Sequence, residues 1–323
     1  MVDVAREAGV ALRTVSRLVN GDDTVGRENA ERIRAAIDAL GYQPDERARQ
    51  LRSGRTLTLG ATVRNIANTH PILRAIDESA RAVGLSVVAI STEDDPEREH
   101  EAIMSMCRRR MDGIIIEPVA ESHAYLQPQI DSGMPVVAFD RPAAGIAVDT
   151  VLSDNCSGIR QAFAHLAVRG HRRIAYIGDD ERIFTGHERA ETFRECVRAL
   201  GASTDGMVHP GPVRADRIAA VLDALRRMDA PPTALITGNA TTTVEAVRHL
   251  GADFGSIALV GCDDFALADL LRPALTVIAR DETQIGRTAL DMYRERAANP
   301  AGPARTIVMP TMLIARGSGE VPP

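Results

Sequence analysis

The sequence predicts a small all-α headpiece built around a helix-turn-helix, followed by a large α/β domain with two lobes. Residues 1–20 hold two short helical patterns joined at Gly9, and an amphipathic helix follows over Arg27–Leu40. After Thr56, short β-rich apolar runs alternate with helices, which is typical of parallel sheets covered by helices. A chain of 323 residues is long enough for both parts.

The first two helical patterns have the composition of a helix-turn-helix. Ala5 is small, as the close crossing of two helices requires, and Gly9 lets the chain leave the first helix because glycine adopts a positive φ at little cost. Val15 and Leu18 give the second helix an apolar side through their i, i+3 spacing. Its other side is polar and partly basic, and such a helix can enter the DNA major groove. The alternative is that these residues only pack a small helical hairpin.

The rest of the chain alternates between strand and helix patterns. We expect strands at Leu57–Val63, Ser86–Ser91, Gly113–Ile116, Val136–Phe139, Ile174–Ile177, Ala234–Thr237 and Ile257–Gly261. We expect helices near Pro71–Val83, Pro96–Arg109, Cys156–Arg169, Arg189–Leu200, Val213–Met228 and Thr241–Leu250. This alternation favours two doubly wound, Rossmann-like lobes rather than one sheet. The final strands, near Thr306–Met309 and Thr311–Ala315, are expected to cross back between the lobes.

Composition argues against several classes of protein. The net charge of −6 disfavours binding of nucleic acid over the whole surface, although a few well-placed arginines suffice for a local contact. The four cysteines have no metal-ligand spacing. No apolar run is long enough to span a bilayer and no export signal starts the chain, so we expect a cytoplasmic protein.

The chain carries no motif for nucleotide binding or hydrolysis, and we expect neither an enzyme nor a cofactor or metal. The paired acids in Gly178–Asp180 and Cys262–Asp264 are compatible with acid–base catalysis. Strand-end aspartates of α/β proteins more often cap helices or hold ligand hydroxyls, and this is the interpretation we adopt.

Four motifs in the first 56 residues make the interpretation more specific. They are D-V-A-x-x-A-G-V at Asp3–Val10, T-V-S-R-x-x-N-G at Thr14–Gly21, L-G-Y-x-P at Leu40–Pro44 and A-R-x-L-R-x-G-R-T at Ala48–Thr56. In this order they resemble the lac-repressor (LacI/GalR-type) family of transcription regulators, and the resemblance continues into the C-terminal strands. It implies that the α/β part is a periplasmic-binding-protein-like effector domain, whose two lobes clamp a small molecule.

The resemblance also implies which residues contact DNA. Leu12, Arg13 and Arg17 match base-reading positions, and arginine can donate two hydrogen bonds to guanine. Contacts that position the protein on phosphates, or that cap the helix, are assigned to Thr14, Ser16 and Asn20. The segment Asp45–Ser53 matches a hinge helix in which Leu51 is a minor-groove wedge, Ala48 allows two such helices to approach and Arg52 is a basic contact. The alternatives are a solvated Arg17 and a Leu51 that packs on the effector domain.

For effector binding, the resemblance implies a pocket at strand ends between the lobes. Its predicted residues are Asn68, Asp154, Arg189, Asn239, Asp263 and Arg280. Carboxylate, guanidinium and amide groups can hydrogen-bond the vicinal hydroxyls of a sugar or sugar derivative. The alternative is that these side chains form interlobe salt bridges or helix caps. Residues 66–70 depart from the Asn-Pro-Phe segment of the family, which leaves the identity of the ligand open.

These observations lead to one domain organisation and one function. We expect a headpiece over 1–44, a hinge helix and linker over 45–56, and an effector and dimerisation domain over 57–323. The lobes are expected at 57–155 with 282–309 and at 156–281 with 310–323. The expected function is a homodimeric repressor that binds near-palindromic operator DNA under control of a small sugar-like effector, with no membrane partner. The alternative is a stand-alone sugar-binding protein without a role on DNA.

Overall fold

The computed structural model describes residues 1–19, 22, 24–43, 54–66 and 71–323. The chain separates into two compact units, Met1–Thr56 and Leu57–Pro323. The predicted hinge helix over Asp45–Ser53 lies outside the described residues. None of the helices in the described ranges combines the length and the apolar character that a membrane crossing needs.

The first unit contains the predicted helix-turn-helix. Its described helices are α1 (Val2–Ala8), α2 (Leu12–Val19) and α3 (Arg27–Leu40). α1 ends at Gly9, whose φ of 61° lies in the left-handed region that glycine adopts without strain. Apolar side chains from all three helices form one small core, with Val4, Ala5, Ala8, Val15, Ile33 and Ala36 buried. The expected helical packing is therefore present, and the outer side of α2 stays exposed.

The second unit contains two six-stranded sheets. Its strands are β1 (Thr58–Val63), β2 (Ser86–Ser91), β3 (Gly113–Ile116), β4 (Val136–Phe139), β5 (Asp149–Ser153), β6 (Ile174–Ile177), β7 (Val208–His209), β8 (Ala234–Thr237), β9 (Ala258–Cys262), β10 (Thr276–Arg280), β11 (Thr306–Met309) and β12 (Thr311–Ile314). The first sheet has the parallel order β11-β5-β4-β3-β1-β2. The second has the order β12-β10-β9-β8-β6-β7, with β12 antiparallel to β10 and the other described pairs parallel.

Helices cover both faces of each sheet, which is why the central strands are continuous apolar runs. The α-helices of this unit are α4 (Pro71–Ala82), α5 (Pro96–Arg108), α6 (Gln127–Asp131), α7 (Asn155–Val168), α8 (Phe184–Ala199), α9 (Ala215–Arg226), α10 (Ala240–Leu250) and α11 (Glu282–Ala298). The first sheet packs against α4 and α11 on one face and α5 on the other. The second sheet packs against α7 and α8 on one face and α9 and α10 on the other. The predicted fold class, a helical headpiece followed in the chain by two doubly wound lobes, is confirmed.

The chain passes between the sheets at three single residues. Asp154 lies between β5 and α7, Asp281 between β10 and α11, and Pro310 between β11 and β12. Both aspartates cap the helix that follows: an Oδ1 of Asp154 accepts from the Ser157 amide at 2.8 Å, and Asp281 caps α11 in the same way. The lobes are thus joined by three short connections that lie at the carboxyl ends of their strands.

Some elements were not predicted. The run Asp149–Ser153 offers too few apolar residues to mark β5 locally, although the strand is buried between two neighbours in the sheet. β10 and α11 were missed for a related reason, since distant parts of the chain provide their packing partners. α8 begins at Phe184 rather than near Arg189. Its start was mispredicted because its first turns are polar in sequence, although Thr185 and Gly186 in them are buried.

Candidate functional site: α2 and the interlobe cluster

The side chains predicted to read bases are exposed on α2. They are Leu12, which exposes 47% of its surface, Arg13 and Arg17. Thr14 and Ser16 are half-buried, and Val15 turns into the headpiece core. The other predicted DNA contacts, Asn20, Ala48, Leu51 and Arg52, lie outside the described residues. The described part of this surface therefore has one apolar and two basic side chains available for a DNA groove.

Arg17 makes contacts within the headpiece that sequence reasoning missed. Its Nε donates to Asp22 Oδ2 at 2.7 Å, and its Nη2 donates to the Thr24 hydroxyl. The Thr24 amide donates to Asp22 Oδ1 at 2.9 Å. Hydrogen bonding to Arg17 holds the pKa of the Asp22 carboxyl well below its usual range. No helical spacing links Asp22 to Arg17, because α2 ends at Val19, so this ion pair was not predicted.

The second candidate site lies where the strands of both sheets end. Carboxyl ends of parallel strands meet at one edge of a sheet, and polar side chains that follow them gather there. We call this group the interlobe cluster: Arg64, Glu117, Asp140 and Arg141 of the first lobe, and Asp179, Arg189, Asn239, Asp263 and Arg280 of the second. Most of these side chains are buried, and each buried charge has an opposite charge or a hydrogen-bond partner.

Arg189 is the most connected side chain of the second lobe in this cluster. Its Nε donates to Asn155 Oδ1 at 2.9 Å, and its Nη1 donates to the carbonyl of Gly238. Its two Nη atoms lie 3.3 Å from the two carboxylate oxygens of Asp263, a fork-to-fork ion pair. Arg189 therefore links α8 to the ends of β8 and β9.

Arg280 connects the two lobes. Its Nη1 donates to Asp140 at the end of the first sheet, while its Nε lies 3.6 Å from Asp263 Oδ1 at the end of the second. Burial alone would raise the pKa of the Asp140 carboxyl, but the guanidinium groups of Arg280 and Arg141 outweigh burial and hold that pKa well below its usual range. The Asp263 carboxyl behaves in the same way: burial opposes its ionisation, yet Arg189 and Arg280 leave its pKa lowered.

Asp140 and Asp263 occupy matching positions in the two lobes. Their φ angles of 65° and 64° are left-handed, a conformation that costs energy for a residue with a side chain. Each backbone amide donates at 2.9 Å to the neighbouring strand, from Asp140 to the Val151 carbonyl and from Asp263 to the Ile278 carbonyl. These bonds hold the strained backbone and aim both carboxylates at Arg280.

The other predicted effector residues have local partners. Asn239 caps α10 by accepting from the Thr242 amide at 2.7 Å, and its Nδ2 donates to Asp179 at 2.6 Å. Asp154 caps α7, next to the Asn155 that holds Arg189. Asn68 lies outside the described residues. The structure thus brings Arg189, Asp263 and Arg280 into direct contact and places Asp154 and Asn239 beside them, and their roles toward a ligand stay predictions.

Three residues of the cluster, Asp140, Arg141 and Glu117, were not predicted from the sequence. A signal was present, because Asp140 follows the apolar run Val136–Phe139 as Asp263 follows β9. Burial raises the pKa of the Glu117 carboxyl and that of the Asp179 carboxyl above their usual values, the opposite direction from Asp140 and Asp263. Across the described ranges, no group of three or more His, Cys, Asp or Glu side chains is arranged to hold a metal ion.

The lowered pKa values of Asp140 and Asp263 predict sensitivity to acid. A carboxyl whose pKa is lower in the folded chain than in the unfolded chain adds stability at neutral pH, and this stability is lost as the pH falls below about 4. Each such group contributes a slope of up to about 1.4 kcal/mol per pH unit. We expect Asp140→Asn to reduce the dependence of the free energy of unfolding on pH at the acid end, measured by urea unfolding between about pH 6 and pH 3.

Exposed Asp291 provides the control for this prediction, since Asp291→Asn should leave the pH dependence of the free energy of unfolding unchanged. Equal slopes in wild type and Asp140→Asn would contradict the assignment.

Comparisons with known proteins agree with this architecture. Residues 1–45 match the sequence profile "Bacterial regulatory proteins, lacI family", and residues 163–319 match "Periplasmic binding protein-like domain". The HTH-type transcriptional regulator PtxS of Pseudomonas aeruginosa is 30% identical over 98% of this chain and 94% of its own length. The ribose operon repressor of Escherichia coli is 29% identical over 98% of this chain and 99% of its own. A lac repressor dimer, solved bound to operator and the anti-inducer ONPF, superposes with a TM-score of 0.86 at 23% identity over 98% of each chain.

A helix-turn-helix with an exposed basic side, combined in one chain with a two-lobed binding domain, defines a DNA-binding transcription regulator. The match at residues 1–45 leaves the alternative of a binding protein without a DNA role unsupported. The chain belongs to the lacI family of bacterial regulatory proteins. Both of these relatives are regulators rather than enzymes.

Proposed function

We propose that this regulator is a repressor that binds a near-palindromic operator as a homodimer, and that a small sugar or sugar derivative in the interlobe cluster controls its affinity for DNA. Two copies of α2, one from each protomer, read the two half-sites. Leu12, Arg13 and Arg17 contact base edges, while Thr14 and Ser16 position the helix on the backbone. The protein has no catalytic activity. It binds chromosomal DNA in the cytoplasm.

The observation that carries the effector proposal is Arg280. It lies at the end of a second-lobe strand and pairs with Asp140 of the first lobe, so any ligand that binds there changes how the lobes meet. The Nε atoms of Arg280 and Arg141 are buried, and neither has a hydrogen-bond acceptor among the described residues. Each Nε lies just beyond hydrogen-bond distance of a carboxylate, 3.6 Å from Asp263 for Arg280 and 3.9 Å from Asp140 for Arg141. A ligand whose oxygen atoms approach more closely therefore satisfies donors that are costly to leave unpaired.

Carboxylates complement these donors. Asp140 and Asp263 are ionised acceptors, and hydroxyl groups on adjacent carbons of a sugar can donate to one while accepting from a neighbouring arginine. The name of the Escherichia coli relative, the ribose operon repressor, supports a sugar-related effector. The lac repressor, solved as a dimer on operator with an anti-inducer, supports control of DNA binding through the same fold. Such control is a coupling free energy between the two sites.

The test has two parts. The wild-type chain is used to select duplexes from a random DNA library, and gel shifts then compare the selected duplex with an unrelated duplex of the same length at several salt concentrations. We expect a clear preference for a two-fold-related sequence and an affinity that falls steeply with salt. A panel of sugars and sugar acids is then screened by thermal shift, since a ligand stabilises the fold that binds it.

The outcomes separate the candidate functions. A compound that raises the melting temperature should also change affinity for the selected duplex. Stabilisation by a sugar in a chain with no sequence preference would instead indicate a plain binding protein. If the selected duplex binds tightly but no compound alters it, the effector proposal is wrong and the DNA proposal stands.

A further inference from the structure

The ion pair between Arg17 and Asp22 joins α2, the helix proposed to read bases, to the segment between α2 and α3. The pair is exposed, with 45% of the Arg17 side chain and 34% of the Asp22 side chain accessible, so it is not part of the headpiece core. Thr24 completes a small network, because its hydroxyl accepts from Arg17 and donates to Asp22. We call these three residues the Arg17 clasp.

The clasp uses only one edge of the Arg17 guanidinium. Its Nε–H points at Asp22, and one of the two Nη2–H groups points at Thr24. A guanidinium has five N–H donors, and among the described residues the Nη1 group and the second Nη2–H have no acceptor, so they can bind another partner. These donors form the end-on fork that pairs with O6 and N7 of guanine. The clasp and a base contact can therefore exist at the same time.

We infer that Asp22 is a positioning residue for DNA recognition: it holds Arg17 by its inner edge, so that the outer fork is oriented before the operator binds. The inference rests on the proposed function, in which Arg17 reads a base. A long arginine side chain loses rotational freedom when it binds, and a side chain that is already held loses less. Arg13, on the same helix, has no ion-pair partner among the described residues and gains no such advantage.

The negative charge of Asp22 makes the inference testable, because the two possible roles of Asp22 change affinity for the operator in opposite directions. A carboxylate beside the DNA-binding surface repels phosphates, so its removal should strengthen binding to any duplex if charge alone matters. A positioning role predicts the opposite for the correct sequence. Loss of Asp22 then weakens operator binding while binding to unrelated DNA stays the same or improves. The two roles therefore change specific affinity in opposite directions.

The experiment uses the full-length protein, the duplex selected by the wild-type chain and an unrelated duplex of the same length. Asp22→Asn retains an oxygen that can accept from the Thr24 amide and so preserves the turn, whereas Asp22→Ala removes the clasp altogether. We expect both variants to bind the selected duplex roughly 3- to 10-fold more weakly, and the unrelated duplex no more weakly than wild type. Exposed Asp38 on α3 is the matched control, since Asp38→Ala removes the same charge without touching Arg17.

A double-mutant cycle separates positioning from a general structural effect. In the Arg17→Ala background, Asp22→Asn should no longer reduce specific affinity, because there is no guanidinium left to orient. Thermal melting shows whether each variant folds as the wild type does. Tighter binding of both duplexes by Asp22→Asn, or an equal loss with and without Arg17, would overturn the inference. If the wild-type chain selected no sequence at all, the proposed function would fail instead.

Discussion

Replacing Arg189 with alanine is expected to lower the free energy of unfolding by about 3–5 kcal/mol, the usual cost of breaking a buried ion pair from one side. The change leaves the half-buried Asp263 carboxylate with Arg280 as its remaining cation, and it removes the donors to Asn155 and Gly238. Urea unfolding at neutral pH measures the loss. Any sugar that stabilises the wild type in a thermal-shift screen should also lose its effect on this variant.

Two further variants show what the loss means. Arg194 lies on the same helix and pairs with Glu181 at the surface, so Arg194→Ala should cost much less. Arg189→Lys keeps a positive charge but not the planar fork, and should lie between the wild type and the alanine variant. If Arg189→Ala lowered the free energy of unfolding by less than about 1 kcal/mol, the ion pair between Arg189 and Asp263 would not be important for the stability of the lobe.

Replacing Arg17 with alanine is expected to weaken binding to the selected duplex by roughly 10- to 100-fold per half-site, the discrimination that a bidentate contact to a base provides. Affinity for an unrelated duplex should change little, because base contacts contribute nothing there. Gel shifts at fixed salt measure both affinities. The ratio between them is the quantity of interest, since affinity for any DNA depends on salt.

The control for Arg17 is another exposed arginine of the headpiece. Arg27, at the start of α3, has a side chain that is 93% exposed and pairs at 3.0 Å with Glu31 of the same helix, so Arg27→Ala removes one positive charge without altering α2. It should reduce binding to both duplexes by the same small factor. Parallel losses for Arg17→Ala on both duplexes would identify Arg17 as a phosphate contact and contradict the base-reading assignment.

Local patterns were sufficient to predict the helices of the headpiece, whereas its role on DNA was inferred from the family resemblance. The amphipathic run Arg27–Leu40 forms α3 with those bounds, and Gly9 ends α1 in the left-handed conformation expected for it. The apolar strands of both sheets were also predictable, because strands buried on both faces are uniformly apolar. β5 and β10 were not, since their burial comes from neighbours far away in sequence. A strand of five residues with polar ends carries little signal of its own.

The candidate site was predictable only in part. Motif matches pointed to Arg189, Asp263 and Arg280, and the structure brings these three together. The link from Arg280 to Asp140 spans 140 positions and two sheets, so no spacing rule predicts it. The Arg17 clasp was not predicted although its residues are close in sequence. Asp22 lies beyond the end of α2, where helical spacing no longer applies.

The three single-residue passages between the sheets have a consequence for how such a protein can be recombined. Each lobe is assembled from separate stretches of the chain, interleaved at Asp154, Asp281 and Pro310. Exchange of one lobe with that of a homologue therefore requires three crossovers in register, and an error at any of them splits a sheet. The headpiece occupies one continuous stretch, and a single crossover near Thr56 transfers it whole. Chimeras that exchange the headpiece, and so combine a new DNA specificity with the existing ligand site, therefore need fewer crossovers than chimeras that combine lobes from two proteins.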